Sequence, residues 1–517
     1  MTRAWISSDQ GDQLAMLPID ARDLLPADHR AWGVLEQVGE LDLSAFTAAY
    51  RANGQGRPPY DPTMMLALII YCRGKSICSG RGIETACHDD LGARVITGNR
   101  YPDRATIDRF LDTHAQAIRA LLPQTLRLGH AHDLVDVSVV AGDGTKALAN
   151  AAMGATVDEQ ALQAQIVDLR QQVAQAQADW DAQVAAQDPP TMQTLFGDTN
   201  EHPGPTAGNG SKAWRRLGVL TRTLHSREQA LAYLQAHPNT DLTDWRERLA
   251  RDQARVQRCG ERLEQTRVEV QAANQRREQA EACGVKIPGR RPVPVEDHTR
   301  VRQARKALAT ATARAQATAA SRPSTTKVNT TDPVSRIMPG KHDGFGQRHN
   351  VQALACKGQF ILAIGTHDSP NDKRALTALL SQARTNLDAA AITDPIGVAL
   401  FDNGYASEAN FTADLPVDTL LVAVEKEARQ TGRLRDGTTT AAQSWQVMAT
   451  RLDDPTNRAL YKQRAAIIEP LFAQLFARFG RGLNHRGGDV ETELHLWAVT
   501  HNLLKISRHR RKNHRPG

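Results

Sequence analysis

Leu134-Val135-Asp136-Val137-Ser138-Val139-Val140-Ala141-Gly142-Asp143-Gly144 is the stretch on which the reading of the fold turns. Its β-branched run predicts a buried strand over 134–141 that delivers Asp143 at its end, beside two glycines. The same pattern returns far downstream. Asn350 to Ala355 and Phe360 to Ile364, separated by Cys356-Lys357-Gly358-Gln359, read as a hairpin. Ile396-Gly397-Val398-Ala399-Leu400-Phe401 reads as another buried strand, ending in Asp402-Asn403-Gly404-Tyr405, and Leu420 to Val424 as a further one. A helix is expected from about 371 to 387, capped by Ser369 or Asn371. Beyond Tyr461, Ile467, Ile468, Leu471, Leu475 and Phe479 make one helical face with Glu469 beside it.

Outward from this core the period is helical. Residues 20–130 read as short amphipathic helices broken at prolines and glycines, with an apolar helix from Met64 to Tyr71. Arg73, Lys75, Arg81, Arg100 and Arg104 fall near the turns. That suits a DNA-contacting helix-turn-helix module, and equally a bundle with solvated basic residues. Between the strands, Leu162, Ile166, Leu169, Val173, Ala176 and Trp180 alternate spacings of four and three, and Leu249, Val256, Leu263 and Val270 lie seven apart. With an Ala/Arg-rich stretch near 298–320, this predicts an inserted helical domain, an antiparallel coiled-coil hairpin. The segment Gly204 to Lys212 only mimics a P-loop and reads as linker, within a Pro/Gly loop from Asp188 to Ser211.

Composition bounds the partners. The 517 residues are 41% hydrophobic and 23% charged, enough for large folded cores. Aromatics are few (7 Trp, 7 Tyr, 10 Phe), against recognition mainly by stacking. There is no apolar run of membrane-spanning length, and the start has no apolar signal region. Six scattered cysteines make no disulfide framework and no CxxC pair, so a reducing cytoplasm is the expectation. The net charge is +7 with pI near 9.1, pointing to an anionic partner. The surplus is local: residues 201–330 carry +11 and residues 501–517 carry +6.

Three carboxylates are the candidate chemistry. Asp143 and Asp402 each follow a strand beside a glycine, and Glu469 lies between Ile468 and Pro470 on a later helix. Converging carboxylates suit Mg2+, and a pair of such ions serves in-line displacement at phosphorus. The histidines His342, His349, His367, His485, His495 and His501 offer a rival metal site, without ligand spacing to support it.

The segments Ala141 to Ala151, Phe401 to Glu408 and Tyr461 to Phe472 resemble the three signature blocks of bacterial insertion-sequence DDE transposases, specifically the IS4/IS5-like group with an interrupted catalytic domain. Arg57 to Phe110 is similar to the helical N-terminal domain of that family, Asp332 to Arg336 and Gly344 to Asn350 to its return from the insert, and His501 to Lys505 to its closing helix. The resemblance implies an α/β chain with a ribonuclease-H-like mixed-sheet core and a helical N-terminal domain (1–130), and the heptad spacing sets the helical coiled-coil insertion at 154–328. The resemblance further implies core segments at 131–153 and 329–505, and the charge count adds a basic tail at 506–517.

By the same resemblance Asp143, Asp402 and Glu469 are the metal ligands for two Mg2+ ions, with Mn2+ able to substitute. Tyr461 and Arg464 match the Tyr-x2-Arg element that positions DNA phosphates; Lys146 and Asn150 are expected as DNA contacts from their place just beyond Asp143, and Arg478 as the basic residue nearest Phe476. Lys341, Arg348 and Lys357 flank the hairpin as phosphate contacts or solvated residues. The family usually has Lys seven residues after the glutamate, where this chain has Phe476, with Arg478 the nearest basic substitute. The implied activity is binding of terminal inverted repeats, Mg-dependent cleavage and strand transfer into target DNA. The implied setting is bacterial cytoplasm at the nucleoid, as a homodimer or higher assembly on double-stranded DNA, with no membrane. The competing readings are a decayed or architectural DNA-binding protein and a hydrolysis-only nuclease.

Overall fold

The computed structural model describes residues 23–48, 50, 59–185, 210–236, 240–284, 293–321, 327–340, 344–367, 369–424 and 440–513. Residues 1–22, most of the Pro/Gly loop from Asp188 to Ser211, and Lys341 and His342 lie outside them. The architecture is α/β. Eight strands are described: β1 (Val139–Leu148), β2 (Thr156–Asp158), β3 (Lys327–Asn329), β4 (Arg336–Pro339), β5 (Phe345–Cys356), β6 (Phe360–His367), β7 (Val398–Phe401) and β8 (Thr419–Val422). The chain divides into two units, one formed by Met1–Ala155 with Val334–Gly517, the other by Thr156–Pro333.

In the first unit a mixed sheet runs β4-β5-β1-β7-β8, with β6 also paired to β5. β1 is antiparallel to β5 and parallel to β7, and β7 is parallel to β8. The strand holding Asp143 differs from the expectation in register. It begins at Val139 rather than Leu134, because Asp136 Oδ1 accepts the Ser138 N–H at 3.0 Å and holds the chain in a turn. It then continues to Leu148, its ladder with β5 unbroken from Val140 opposite Cys356 to Leu148 opposite Arg348. Asp143 therefore lies inside a strand, opposite Ala353, and not at a strand end.

Helices cover this sheet. The closing helix Asp489–Asn513 buries almost every residue from Val490 to Leu504. Residues 506–513, read from the sequence as tail, are its last turns: Ile506 is fully buried, and Arg510 pairs with Glu36 and Glu40. Among the described residues, eight helices between Arg30 and His130 form the N-terminal bundle. Its centre is Pro62–Gly74, started by Pro62 behind an Asp61 cap whose carboxylate accepts from Thr63 N at 2.9 Å. Arg73 on this helix is wholly buried, so it is no surface DNA contact; its charge acts on Glu493. Lys75 pairs with Asp90, and Arg104 with Asp108.

The second unit is helical. β2 and β3 pair antiparallel, and helices Glu159–Ala185 and Gly210–Ala236 pack through Leu162, Ile166, Ala230 and Leu234. Thr240–Ala282, about 65 Å long at 1.5 Å per residue, packs against Thr299–Ala320 through Leu263, Val270 and Val301. The sequence reading had no helix over 210–236; Leu217, Leu224 and Leu231, seven apart, carried the signal.

Candidate functional site

Because β1 and β7 run parallel with Ala141 opposite Leu400, Asp143 and Asp402, each two residues further on, come alongside one another. Two glycines permit this. A Cβ on Gly142 would lie 2.2 Å from the Phe401 ring, and one on Gly144 2.3 Å from Gln352 Nε2. Asp143 Oδ1 accepts from Gly144 N and Asp402 Oδ1 from Gly404 N, both at 2.8 Å, so each carboxylate is aimed by its own backbone. Burial pushes the Asp143 carboxyl up to about 6; the neighbouring Asp402 charge adds to this, and the Gly144 N–H and Arg464 oppose it.

The helix Arg464–Phe479 supplies the third block. Arg464 Nη1 lies 3.6 Å from Asp143 Oδ2 and Nη2 lies 3.5 Å from Glu469 Oε1, so one guanidinium spans the two carboxylates. Arg464 is largely buried while the Glu469 side chain is 61% exposed. Pro470 removes the N–H that would bond Ala466 O, and Gln359 Nε2 takes that carbonyl at 3.1 Å, pinning the first turns to the β5–β6 hairpin. Tyr461 donates to Phe401 O at 3.0 Å, the carbonyl preceding Asp402, and burial raises its phenol.

Asp372, absent from the sequence reading, belongs to the same cluster. Its Oδ1 accepts from Lys146 Nζ at 3.1 Å and from Asn350 Nδ2 and Gln352 Nε2 at 2.9 Å each. Gln352 in turn accepts the Tyr405 hydroxyl, three residues past Asp402. The network ties β1, β5 and the loop after β7 into one assembly. Burial lowers the Lys146 ammonium, and Asp372 counters it. The signal for Asp372 was weak: a loop residue in Ser369-Pro370-Asn371-Asp372, with partners up to 226 positions away.

Other expected contacts sit elsewhere. Asn150 donates to Asn484 O at 2.8 Å, and its own carbonyl accepts from Arg486 Nε at 2.7 Å. Arg478 lies near Arg30 and Arg508. Phe476 stacks on Phe472, and the Arg481 guanidinium lies 5.4 Å from its ring centroid. Arg348 is buried, and Lys357 is exposed. The described histidines do not gather: His501 bonds Gln359 O, His495 Glu491 O, and His485 Glu493.

Among the described residues no three His, Cys, Asp or Glu side chains stand together as a metal cage. The donor chemistry fits a hard divalent cation: two adjacent carboxylates repel one another, and Arg464 Nη1, buried without a hydrogen-bond partner, is the positive charge beside them. Among the described residues, too, no helix is long and apolar enough to cross a membrane. No curated protein and no solved structure matches the chain. Residues 19–113, comprising most of the N-terminal bundle, match a family model described as a transposase domain (DUF772), and this similarity supports a transposase.

Proposed function

We propose that the chain is a DDE transposase of the insertion-sequence type, cutting DNA at terminal inverted repeats and joining the freed ends to target DNA. The observation that carries this is the side-by-side placement of Asp143 and Asp402 with Arg464 linking Asp143 to Glu469. The sheet order supports a ribonuclease-H-like core: β6 and β5 antiparallel beside a central β1, then parallel β7 and β8. In this reading Asp143, Asp402 and Glu469 hold two Mg2+ ions, with Mn2+ as substitute. Bound there, these ions supply charge neutralisation and Lewis acidity for in-line displacement at phosphorus.

The chain's own residues do the rest. Asp372 and Gln352 fix the spacing between Asp143 and the Asp402 loop. Tyr461 holds the backbone entering Asp402. Arg464 partly neutralises Asp143 and Glu469, and with ions held there its guanidinium would be available to a DNA phosphate. Glu469, exposed and five residues along the helix from Arg464, would be the third carboxylate holding the ions.

The test incubates the purified chain with duplexes carrying the ends of its genomic element and Mg2+. End cleavage that disappears in Asp143→Asn and Asp402→Asn supports the reading. Absence of cleavage, or cleavage unchanged in those variants, overturns it.

A further inference from the structure

Arg478 rides at the end of its helix away from the carboxylates, about 21 Å along the axis from Arg464. There Gln359 Oε1, in the β5–β6 turn, accepts from both Gln474 Nε2 and Lys505 Nζ at 3.2 Å each. Arg478 is one turn beyond Gln474, and Arg508 is one turn beyond Lys505, so three cations gather around this turn. Arg30, whose Nη1 donates to Gly74 O at 2.7 Å, adds a fourth from the N-terminal bundle.

Among the described residues none of these four has a carboxylate within ion-pair reach. Nearby arginines do: Arg510 is paired with Glu36 and Glu40. Arg478 and Lys505 are half-buried, and burial with the repulsion of Arg508 and Arg478 pushes the Lys505 ammonium down to about 8. Like charges held together, partly out of water and without a counterion, favour an anion that neutralises them.

We propose that Arg30, Arg478, Lys505 and Arg508 form a second contact surface, remote from the carboxylates, that binds successive phosphates of a duplex DNA backbone. That the anion is DNA rests on the transposase reading. Its form favours a polymer over a small anion: the cations come from three helices, and Arg508 is exposed, with Arg511 and Lys512 continuing the positive face.

The experiment uses the full chain and a fluorescent duplex of arbitrary sequence, with affinity followed by anisotropy as KCl rises. Each phosphate contact adds about 0.9 to the slope of log affinity against log salt. Arg508→Gln, at an exposed site that leaves the fold alone, is expected to reduce the slope by about one, and the triple variant R478Q/K505Q/R508Q by about 2 to 3. The control Arg458→Gln, which removes a residue paired with Asp453 at 2.8 Å, should leave it unchanged. An unchanged slope in Arg508→Gln and the triple variant overturns the proposal. So does a patch that binds polyglutamate but makes no difference to the duplex. The two readings fail separately: a chain that binds duplex through this patch yet cuts no element ends overturns the transposase reading alone, and one that cuts normally with no patch effect overturns this inference alone.

Discussion

Asp143→Asn is expected to make the fold more stable at neutral pH while abolishing DNA cleavage. The Asp143 carboxyl stands at about 6 in the fold against an ordinary 3.8, through burial and the Asp402 charge. A folded value raised above the unfolded one means stability is fully present below about 4 and lost as pH climbs through about 6. That rise corresponds to about 3 kcal/mol, and the quarter of the side chain left exposed trims this to about 1–2 kcal/mol. Asparagine keeps an oxygen to accept the Gly144 N–H but sheds the charge. The assay is urea unfolding in EDTA at pH 4 and pH 8, read by amide exchange in peptides from β1 and β7, so that this unit is scored apart from Thr156–Pro333. The variant should exceed wild type at pH 8 and match it at pH 4. Adding Mg2+ should stabilise wild type and leave the variant unmoved. A variant less stable than wild type at pH 8, or a gap that ignores pH, would refute the argument that the carboxylates are held together against repulsion.

Gly142→Ala should destabilise by about 1–3 kcal/mol, since its Cβ meets the Phe401 ring at 2.2 Å; the urea midpoint of the same peptides checks it. Asp372→Asn leaves Lys146 half-buried without its counter-charge and should cost about 1.5–3 kcal/mol, while Tyr405→Phe, losing one hydrogen bond to Gln352, should cost about 1 kcal/mol. For both, cleavage rate at saturating Mg2+ should fall along with stability. Glu493 accepts from Asn484 and His485; burial pushes its carboxyl up, but the His485 bonds with the charges of Arg73 and His485 outweigh this and hold it down at about 2. Its stabilisation is present above about 4.5 and lost as pH falls towards 2, so Glu493→Gln should flatten acid unfolding followed by circular dichroism.

What the sequence carried depended on how local the physics was. The strand before Asp402 could be read, though it starts at Val398 and not at Ile396, because a short apolar run before Asp402 and Gly404 needs no distant information, and the hairpin closed by Lys357-Gly358-Gln359 is legible for the same reason. Leu134 misled because its apolar run is buried without being a strand: Val135 and Val137 are core residues in an irregular segment that Asp136 turns. Asp372 was invisible since its meaning lies in three donors from β1 and β5. Arg73 reads as a surface cation by residue type, yet it is buried in the bundle centre with its charge acting on Glu493, a placement set by tertiary packing alone.

Charge counting singled out the C-terminal segment, and the structure gives that charge a different setting. The +6 over 501–517 suggests a tail free to lie on DNA, but Ile506 and Ser507 are buried and Arg510 is engaged with Glu36 and Glu40. Removing 506–517 would therefore tear out packed helix and could weaken DNA binding simply by loosening the N-terminal bundle. Substitution at exposed Arg508 separates the two causes, because it removes charge and leaves Ile506 and Arg510 in place. The Arg464–Phe479 helix makes that distinction matter: one end presents Arg464 to the carboxylates, the other presents Arg478 to the unpaired cations. A duplex lying along this helix would meet phosphate contacts at one end and the candidate chemistry at the other, so loss of the patch should lower affinity while leaving the cleavage rate of bound DNA intact.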